Sequence, residues 1–283
     1  RAKVLARFGA EAENARKRLE PDWTLIPAQG LAAEPVPAEV KRTFELGTGQ
    51  PDFAGVEVGG ASDAGGSNNW AVAAHRTDTG RPILASDPHR LLLLPSLRYV
   101  SHLNAPGLNV IGAGEPAIPG IALGHNETGA FCFTIHPADQ SDLYVYELSP
   151  EDASLYRYGE GWERMDIVEE EIPVRGEPPR RVRLAFTRHG PVLHGDPERA
   201  RAYALRSIWS MPGSAPYVGA LRYMRVKSWD EFVEARSHWL TPTVNHVYAD
   251  TAGDIGWIMS GRVPARREWD GLLPVAGDGS REW

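Results

Sequence analysis

Gly65-Gly66-Ser67-Asn68-Asn69-Trp70 decides how the rest of the chain is read, because Ser67 is either an ordinary loop serine or the hidden start of a second chain. Glycines open backbone conformations closed to other residues, so the Gly66–Ser67 peptide bond can be held bent while the Ser67 hydroxyl is brought onto the Gly66 carbonyl. That geometry favours self-cleavage. A cut there leaves Ser67 with both a hydroxyl and a free α-amino group, whose ordinary pKa of about 7.7–8.0 suits proton acceptance near neutral pH. One residue then supplies nucleophile and base. The competing reading of a Gly-Gly-Ser run is a flexible linker, and the surrounding sequence has to separate the two.

With 283 residues and 42% hydrophobic content, the chain can bury one large core or two small ones. A net charge of -7 and a pI near 5.7 argue against a nucleic-acid partner, which needs a basic surface for counterion release. The longest apolar run, Leu91 to Pro95, is too short to span a bilayer. Charges run throughout Arg1 to Glu20, unlike the apolar centre of a signal peptide. No membrane partner is expected. The single cysteine, Cys132, excludes an internal disulfide, and its setting between Phe131 and Phe133 reads as the interior of a strand.

Outward from Ser67, the two sides differ in texture. Residues 1–20 are rich in Ala, Leu, Glu and Arg and read as a helix, with Gly9 as its weak point and Pro21 as its stop. Prolines and glycines crowd residues 21–66, which read as a linker or spacer with little regular structure. After Ser67 the pattern is β: Asn69 to His75, the turn signal Asp78-Thr79-Gly80 and then Pro82 to Ala85 form a hairpin. Short strands follow at Leu97 to Leu103, Leu108 to Gly112, Ile121 to Gly124, Phe131 to Ile135 and Leu143 to Leu148. Ile167 to Val174 and Arg181 to Phe186 alternate as strands with one wet face. A helix over residues 228–236 has Ser228 as N-cap and Glu231 completing a capping box, and strands resume at Val244 to Ala249 and Ile255 to Met259.

Familiar catalytic patterns are absent: no GxSxG elbow, HExxH helix, phosphate loop or CxxC pair. His189 and His194 invite a zinc hypothesis, but they stand in the turn-rich segment 187–195 rather than on one face of a helix, and histidines at turns commonly bond to backbone.

Six motifs in register carry a resemblance. Ser67-Asn68-Asn69-Trp70, Ser86-Asp87-Pro88-His89, residues 105–112, residues 119–126, Arg188-His189-Gly190-Pro191-Val192 and residues 245–250 follow one another as in the penicillin acylase (penicillin amidase) family of N-terminal-nucleophile hydrolases. The match runs from Ser67 to Trp283 and favours the hidden N-terminus over the linker. The resemblance implies an α+β fold, an αββα four-layer sandwich of antiparallel sheets. It divides the chain into the end of a small-chain helix (1–20), an excised spacer (21–66) and part of the nucleophile-hydrolase core (67–283).

The resemblance also implies roles by position. Autocleavage falls at Gly66-Ser67, Ser67 is the nucleophile, and His89 orients or polarises its hydroxyl or amine. The Ile135 backbone N–H and the Asn245 side-chain amide match the oxyanion donors, and Arg266 matches an arginine that helps to hold the site, with Arg267 beside it competing for the assignment. Asp139, the Ser141 carbonyl and Asp142 resemble part of a structural calcium site, against a solvated turn as the plainer reading; the glutamate that relatives add from the small chain has no clear place in 1–66. Catalysis itself needs no cofactor. The implied reaction is hydrolysis of the acyl-amide bond of an N-acylated small molecule, such as a β-lactam side chain, an acyl-homoserine lactone or a lipopeptide. The remainder of the small chain is the implied partner, and a periplasmic or secreted location is implied.

Two readings from other classes stand beside this one. A conventional triad drawn from Ser67, His89 and Asp87 would leave the chain intact, and a non-catalytic β-rich binding module would leave it intact and inert. Because Arg1 begins inside a helical pattern, the chain is expected to be part of something longer. Taken alone it is expected to be a poor catalyst with Gly66–Ser67 uncut and apolar surface exposed.

Overall fold

The computed structural model describes residues 2–16, 35–49, 66–89, 94–116, 118–267 and 269–283. In chain order the elements are α1 (Ala2–Arg16), α2 (Ala38–Thr48), β1 (Ser67–Val72), β2 (Ile83–Pro88), β3 (Tyr99–Ala105), β4 (Leu108–Gly114), β5 (Leu123–His125), β6 (Gly129–Ile135) and β7 (Ser141–Glu147). They continue with β8 (Leu155–Tyr158), β9 (Gly161–Arg164), β10 (Asp166–Val174), β11 (Glu177–Thr187), β12 (Gly190–Asp196) and β13 (Arg201–Ser207). The last are α3 (Ala220–Tyr223), α4 (Trp229–Ala235), β14 (Val244–Asp250), β15 (Ile255–Ser260) and β16 (Val275–Ala276). The protein is α+β and strand-rich, and among the described residues every strand pair is antiparallel except β16 with β7.

The elements fall into two compact units, each assembled from separate stretches of chain. The unit that holds Ser67 contains a sheet in the order β15-β14-β6-β5-β4-β3. Strand alternation explains its two faces. Phe131 and Phe133 point from β6 into a core where Phe131 packs edge-on against Tyr223 at 4.8 Å and Phe133 packs against Trp239 at 5.1 Å. The opposite side of β6 faces the β1-β2 hairpin, where the Cys132 thiol reaches the Ala85 carbonyl. Cys132 is fully buried, as expected of a strand interior. Trp70 on β1 and Trp257 on β15 stay exposed.

The other unit has a sheet in the order β10-β11-β12-β13-β7-β16, with α2 against β12 and a core of Tyr144, Tyr146, Tyr156, Met165 and Trp269. Three expectations change here. Helix α2 occupies part of the stretch read as a spacer; the neighbouring prolines stand outside it, with Pro37 at its N-cap position where no helical N–H is lost, and its Val40 is buried. Residues 187–195, read as turn-rich, are a tight turn at Arg188-His189 leading into β12. The β10-β11 hairpin has two wet faces over most of its length rather than one, because β11 pairs with β12 only at Phe186 and Thr187 and the rest extends past the sheet.

Helix ends follow local chemistry. The backbone is non-helical at Gly9, where φ is 81°, so the weak point in α1 is a break. Ser228 caps α4 by accepting from the Glu231 N–H at 3.3 Å. The reciprocal half of the expected capping box is displaced by one residue, since the Glu231 carboxylate accepts from the Lys227 N–H at 2.8 Å.

Candidate active site

Ser67 is the first residue of β1 and lies opposite Pro88 at the end of β2, which brings His89 beside it. The contact runs through backbone. The His89 N–H donates to the Gly66 carbonyl at 3.2 Å and to Ser67 Oγ at 3.3 Å, a shared bond that holds hydroxyl and peptide carbonyl on one donor. The His89 ring turns elsewhere: Nε2 is 2.9 Å from Asp87 Oδ2, and Asn68 Nδ2 reaches the same oxygen at 3.5 Å. The bond to His89 holds the Asp87 carboxyl below its ordinary range, with Asn68 adding to the effect. Ser67, Asp87 and His89 are therefore neighbours, but no described bond joins the imidazole to Ser67 Oγ as a triad would require. Gly65 lies outside the described residues.

The two expected oxyanion donors come together on adjacent strands. β14 pairs with β6 so that Asn245 lies opposite Thr134 and Val244 opposite Ile135. Asn245 Nδ2 donates to Thr134 Oγ1 at 3.3 Å, which occupies one of its two hydrogens. The backbone carbonyl of Asn245 accepts from Asn69 Nδ2 at 3.3 Å, linking it to the nucleophile's own strand. Asn69 belongs to the motif that opens at Ser67 but has no role assigned to it, and Thr134 does not stand out in the sequence. Alternation along β1 puts Asn69 on the same face as Ser67, but only the register of β14 on β6 brings Thr134 to Asn245.

Arg266 lies in the other unit, on the residues assigned to calcium. Its Nε donates to Asp142 Oδ2 at 2.8 Å, and its Nη2 donates to Asp139 Oδ2 at 3.1 Å and to the Ser141 carbonyl at 3.2 Å. Gly271 makes room, since a Cβ there would stand 2.4 Å from the Arg266 guanidinium carbon. Asp142 Oδ2 also accepts from Trp283 Nε1 at 2.6 Å, and Asp139 Oδ1 accepts from the Ser141 N–H at 3.3 Å. As arranged, these groups do not fit a calcium ion, which takes six to eight oxygens. One guanidinium already engages all three assigned groups, and of the side-chain oxygens of Asp139, Ser141 and Asp142 just one, Asp142 Oδ1, is buried with no hydrogen-bond partner among the described residues. Burial holds the Asp139 carboxyl above its ordinary range, outweighing Arg266, with Asp142 and Asp270 pushing the same way.

His189 does not present a free ring to a metal. Its Nδ1 meets the Tyr146 hydroxyl and its Nε2 is 2.7 Å from Glu282 Oε1, while Tyr144 stacks on the ring at 3.9 Å. Both ring nitrogens are engaged, and burial lowers its pKa despite the Glu282 carboxylate. His194 lies on β12 beside the Tyr203 ring.

The profile of the penicillin amidase family matches residues 2–283. Penicillin acylase 2 proenzyme of Pseudomonas sp. strain SE83 is 39% identical over 229 residues, which are 80% of this chain and 30% of that protein. Acyl-homoserine lactone acylase QuiP of Pseudomonas aeruginosa is 31% identical over 267 residues, 87% of this chain and 31% of that protein. The structure of a thermostable penicillin G acylase from Alcaligenes faecalis matches with a TM-score of 0.69 at 29% identity, covering 76% of this chain and 39% of that one. The chain thus spans about a third of the length of these relatives, its fold is similar to that of the penicillin G acylase, and it belongs to the penicillin amidase family.

Proposed function

We propose that the protein hydrolyses the amide bond of an N-acylated small molecule, with Ser67 as an N-terminal nucleophile released by cleavage after Gly66. The observation that carries this is the shared His89 N–H. It holds Ser67 Oγ beside the carbonyl that the hydroxyl would attack and polarises that carbonyl. Attack by Oγ on the Gly66 carbonyl carbon, with the proton passing to the Ser67 nitrogen, converts the peptide into an ester. Water then cleaves the ester and leaves Ser67 with a free α-amine.

In turnover the α-amine takes the hydroxyl proton as Oγ attacks the substrate carbonyl, and the amine leaving group receives it. The oxyanion is met by the Ile135 N–H and the second hydrogen of the Asn245 amide, preplaced dipoles that favour the transition state over the substrate. Water cleaves the acyl ester. The relatives named for penicillin and for acyl-homoserine lactones support a substrate in which an acyl group is joined to a ring-bearing amine, with the rest of the small chain walling the acyl group.

N-terminal sequencing of the mature large fragment of the full-length protein tests the reading. A start at Ser67, lost in Ser67→Ala, is expected; any other start overturns it. An intact chain labelled at Ser67 by an esterase probe would support a triad instead.

A further inference from the structure

An oxyanion donor lowers a barrier only if its N–H points where charge develops, which requires placement to within about 0.5 Å and 10–20°. An asparagine side chain on a strand has two rotatable bonds and an amide that can turn over. Something must hold Asn245 in one orientation, and the structure offers two contacts from residues to which no role has been given. Thr134 Oγ1 accepts one Asn245 amide hydrogen at 3.3 Å. Because the amide nitrogen is planar, fixing one hydrogen fixes the direction of the other. Asn69 Nδ2 grips the backbone carbonyl of the same residue at 3.3 Å.

The positions of these two residues give the contacts their meaning. Thr134 directly precedes Ile135, so the donor supplied by backbone and the donor supplied by Asn245 are anchored at one point on β6. Asn69 is two residues beyond Ser67 on β1, hence on the same face of the strand. Its bond crosses from the hairpin that carries the nucleophile to the strand that carries the donor. Cys132, two residues before Thr134 on β6, is also within hydrogen-bond reach of Asn69 and Ser86. With a thiol pushed up to about 11 by burial, Cys132 stays neutral and serves as packing under this bridge.

We propose that Thr134 and Asn69 are positioning residues for the amide hydrolysis proposed above, on which this inference rests: Thr134 aims the Asn245 amide, and Asn69 ties the Asn245 backbone to the nucleophile strand. Neither touches the reacting atoms. Both act through Asn245, so their effect belongs to kcat rather than KM and vanishes when the Asn245 amide is removed.

The test is steady-state kinetics on the mature full-length enzyme with a chromogenic N-acyl anilide. Thr134→Val, which keeps the shape and removes the hydroxyl, is expected to lower kcat about tenfold with KM within about twofold, and Thr134→Ser to restore kcat. Asn69→Leu carries the same expectation from a different strand and stands in should Thr134→Val fail to mature. In an Asn245→Ala background neither substitution should lower kcat further. Wild-type kcat in both single variants, or the same loss with and without Asn245, overturns the inference. Ser67→Ala separates the two levels: its loss of turnover beside unaffected positioning variants rejects only the positioning roles, whereas turnover persisting in Ser67→Ala rejects the nucleophile and the inference with it.

Discussion

Around Ser67 the groups of chemical interest carry few bonds, while around Asp142 nearly every polar atom is engaged. The Ser67 hydroxyl accepts one backbone N–H and the Asn245 amide uses one hydrogen on Thr134. The Asp87–His89 pair beside them is largely exposed. In the other unit, Arg266 spans Asp139, the Ser141 carbonyl and Asp142, Trp283 donates to Asp142, and His189 has partners on both ring nitrogens. The Asp142 side chain is fully buried and that of Arg266 is only 11% exposed, so this cluster is tied to stability. Spare capacity on a held backbone is what a reacting centre needs, and saturation is what a buried charge needs. The two clusters should therefore fail differently when cut.

The largest effects are expected at the first cluster and in rate. Ser67→Ala should leave the full-length protein unprocessed and without turnover. Asn245→Ala should lower kcat by about 10²–10³, the usual cost of one oxyanion donor, while the melting temperature stays close to wild type. Turnover assays and calorimetry on the same preparations check both. If Asn245→Ala processes normally and keeps its turnover, the amide is no oxyanion donor.

At the second cluster the effect should appear in stability. Arg266→Met leaves the Asp142 carboxylate buried without its cation, and breaking a buried pair in this way costs about 3–5 kcal/mol. The same variant separates an arginine from a metal. If Arg266 is the resident cation, chelator leaves the wild-type melting curve unchanged, whereas calcium partly restores the Arg266→Met variant by binding the native state. A wild-type curve that falls in chelator would return the site to calcium and make Arg266 its neighbour.

How much of this could be read beforehand depended on the range of the interaction. The β1-β2 hairpin, strands β4, β6, β14 and β15, and the Ser228 cap follow from turn residues and alternation a few positions apart, and they stand where expected. Ser67 and His89 are brought together by that same hairpin. Arg266 could not be placed, because its partners are Asp139 and Asp142, 127 and 124 residues away, and nothing local to residues 264–271 encodes which acids it will meet. Helix α2 was hidden by the prolines around it, and β8, β9 and β13 lack a strong enough pattern to be told from loop without their partners. The use of the His89 backbone rather than its ring is likewise invisible in a list of residue types.

The smallest effect contrasts the units by acid sensitivity. His246, the neighbour of Asn245 on β14, points into the aromatic core among Phe133, Tyr223, Phe232 and Trp239, with Nδ1 2.7 Å from Ser260 Oγ. Burial lowers its pKa to about 3, with Arg236 adding a smaller push in the same direction. The folded state thus holds it neutral while the unfolded chain takes a proton near pH 6.5, so the unfolded state binds more protons at every pH between those values. Stability from this group is complete above pH 6.5 and drains away as the pH falls towards 3. Between pH 8 and pH 5.5 the loss is about 1.4 kcal/mol, since the lower pH is one unit below the unfolded pKa. Hydrogen-exchange protection of the β14 amides, corrected for intrinsic rates, reads this locally. His246→Gln, which can still bond Ser260 and does not titrate, should flatten the pH dependence by that amount whatever it does to absolute protection. An equal slope in His246→Gln would place the acid sensitivity of this unit elsewhere.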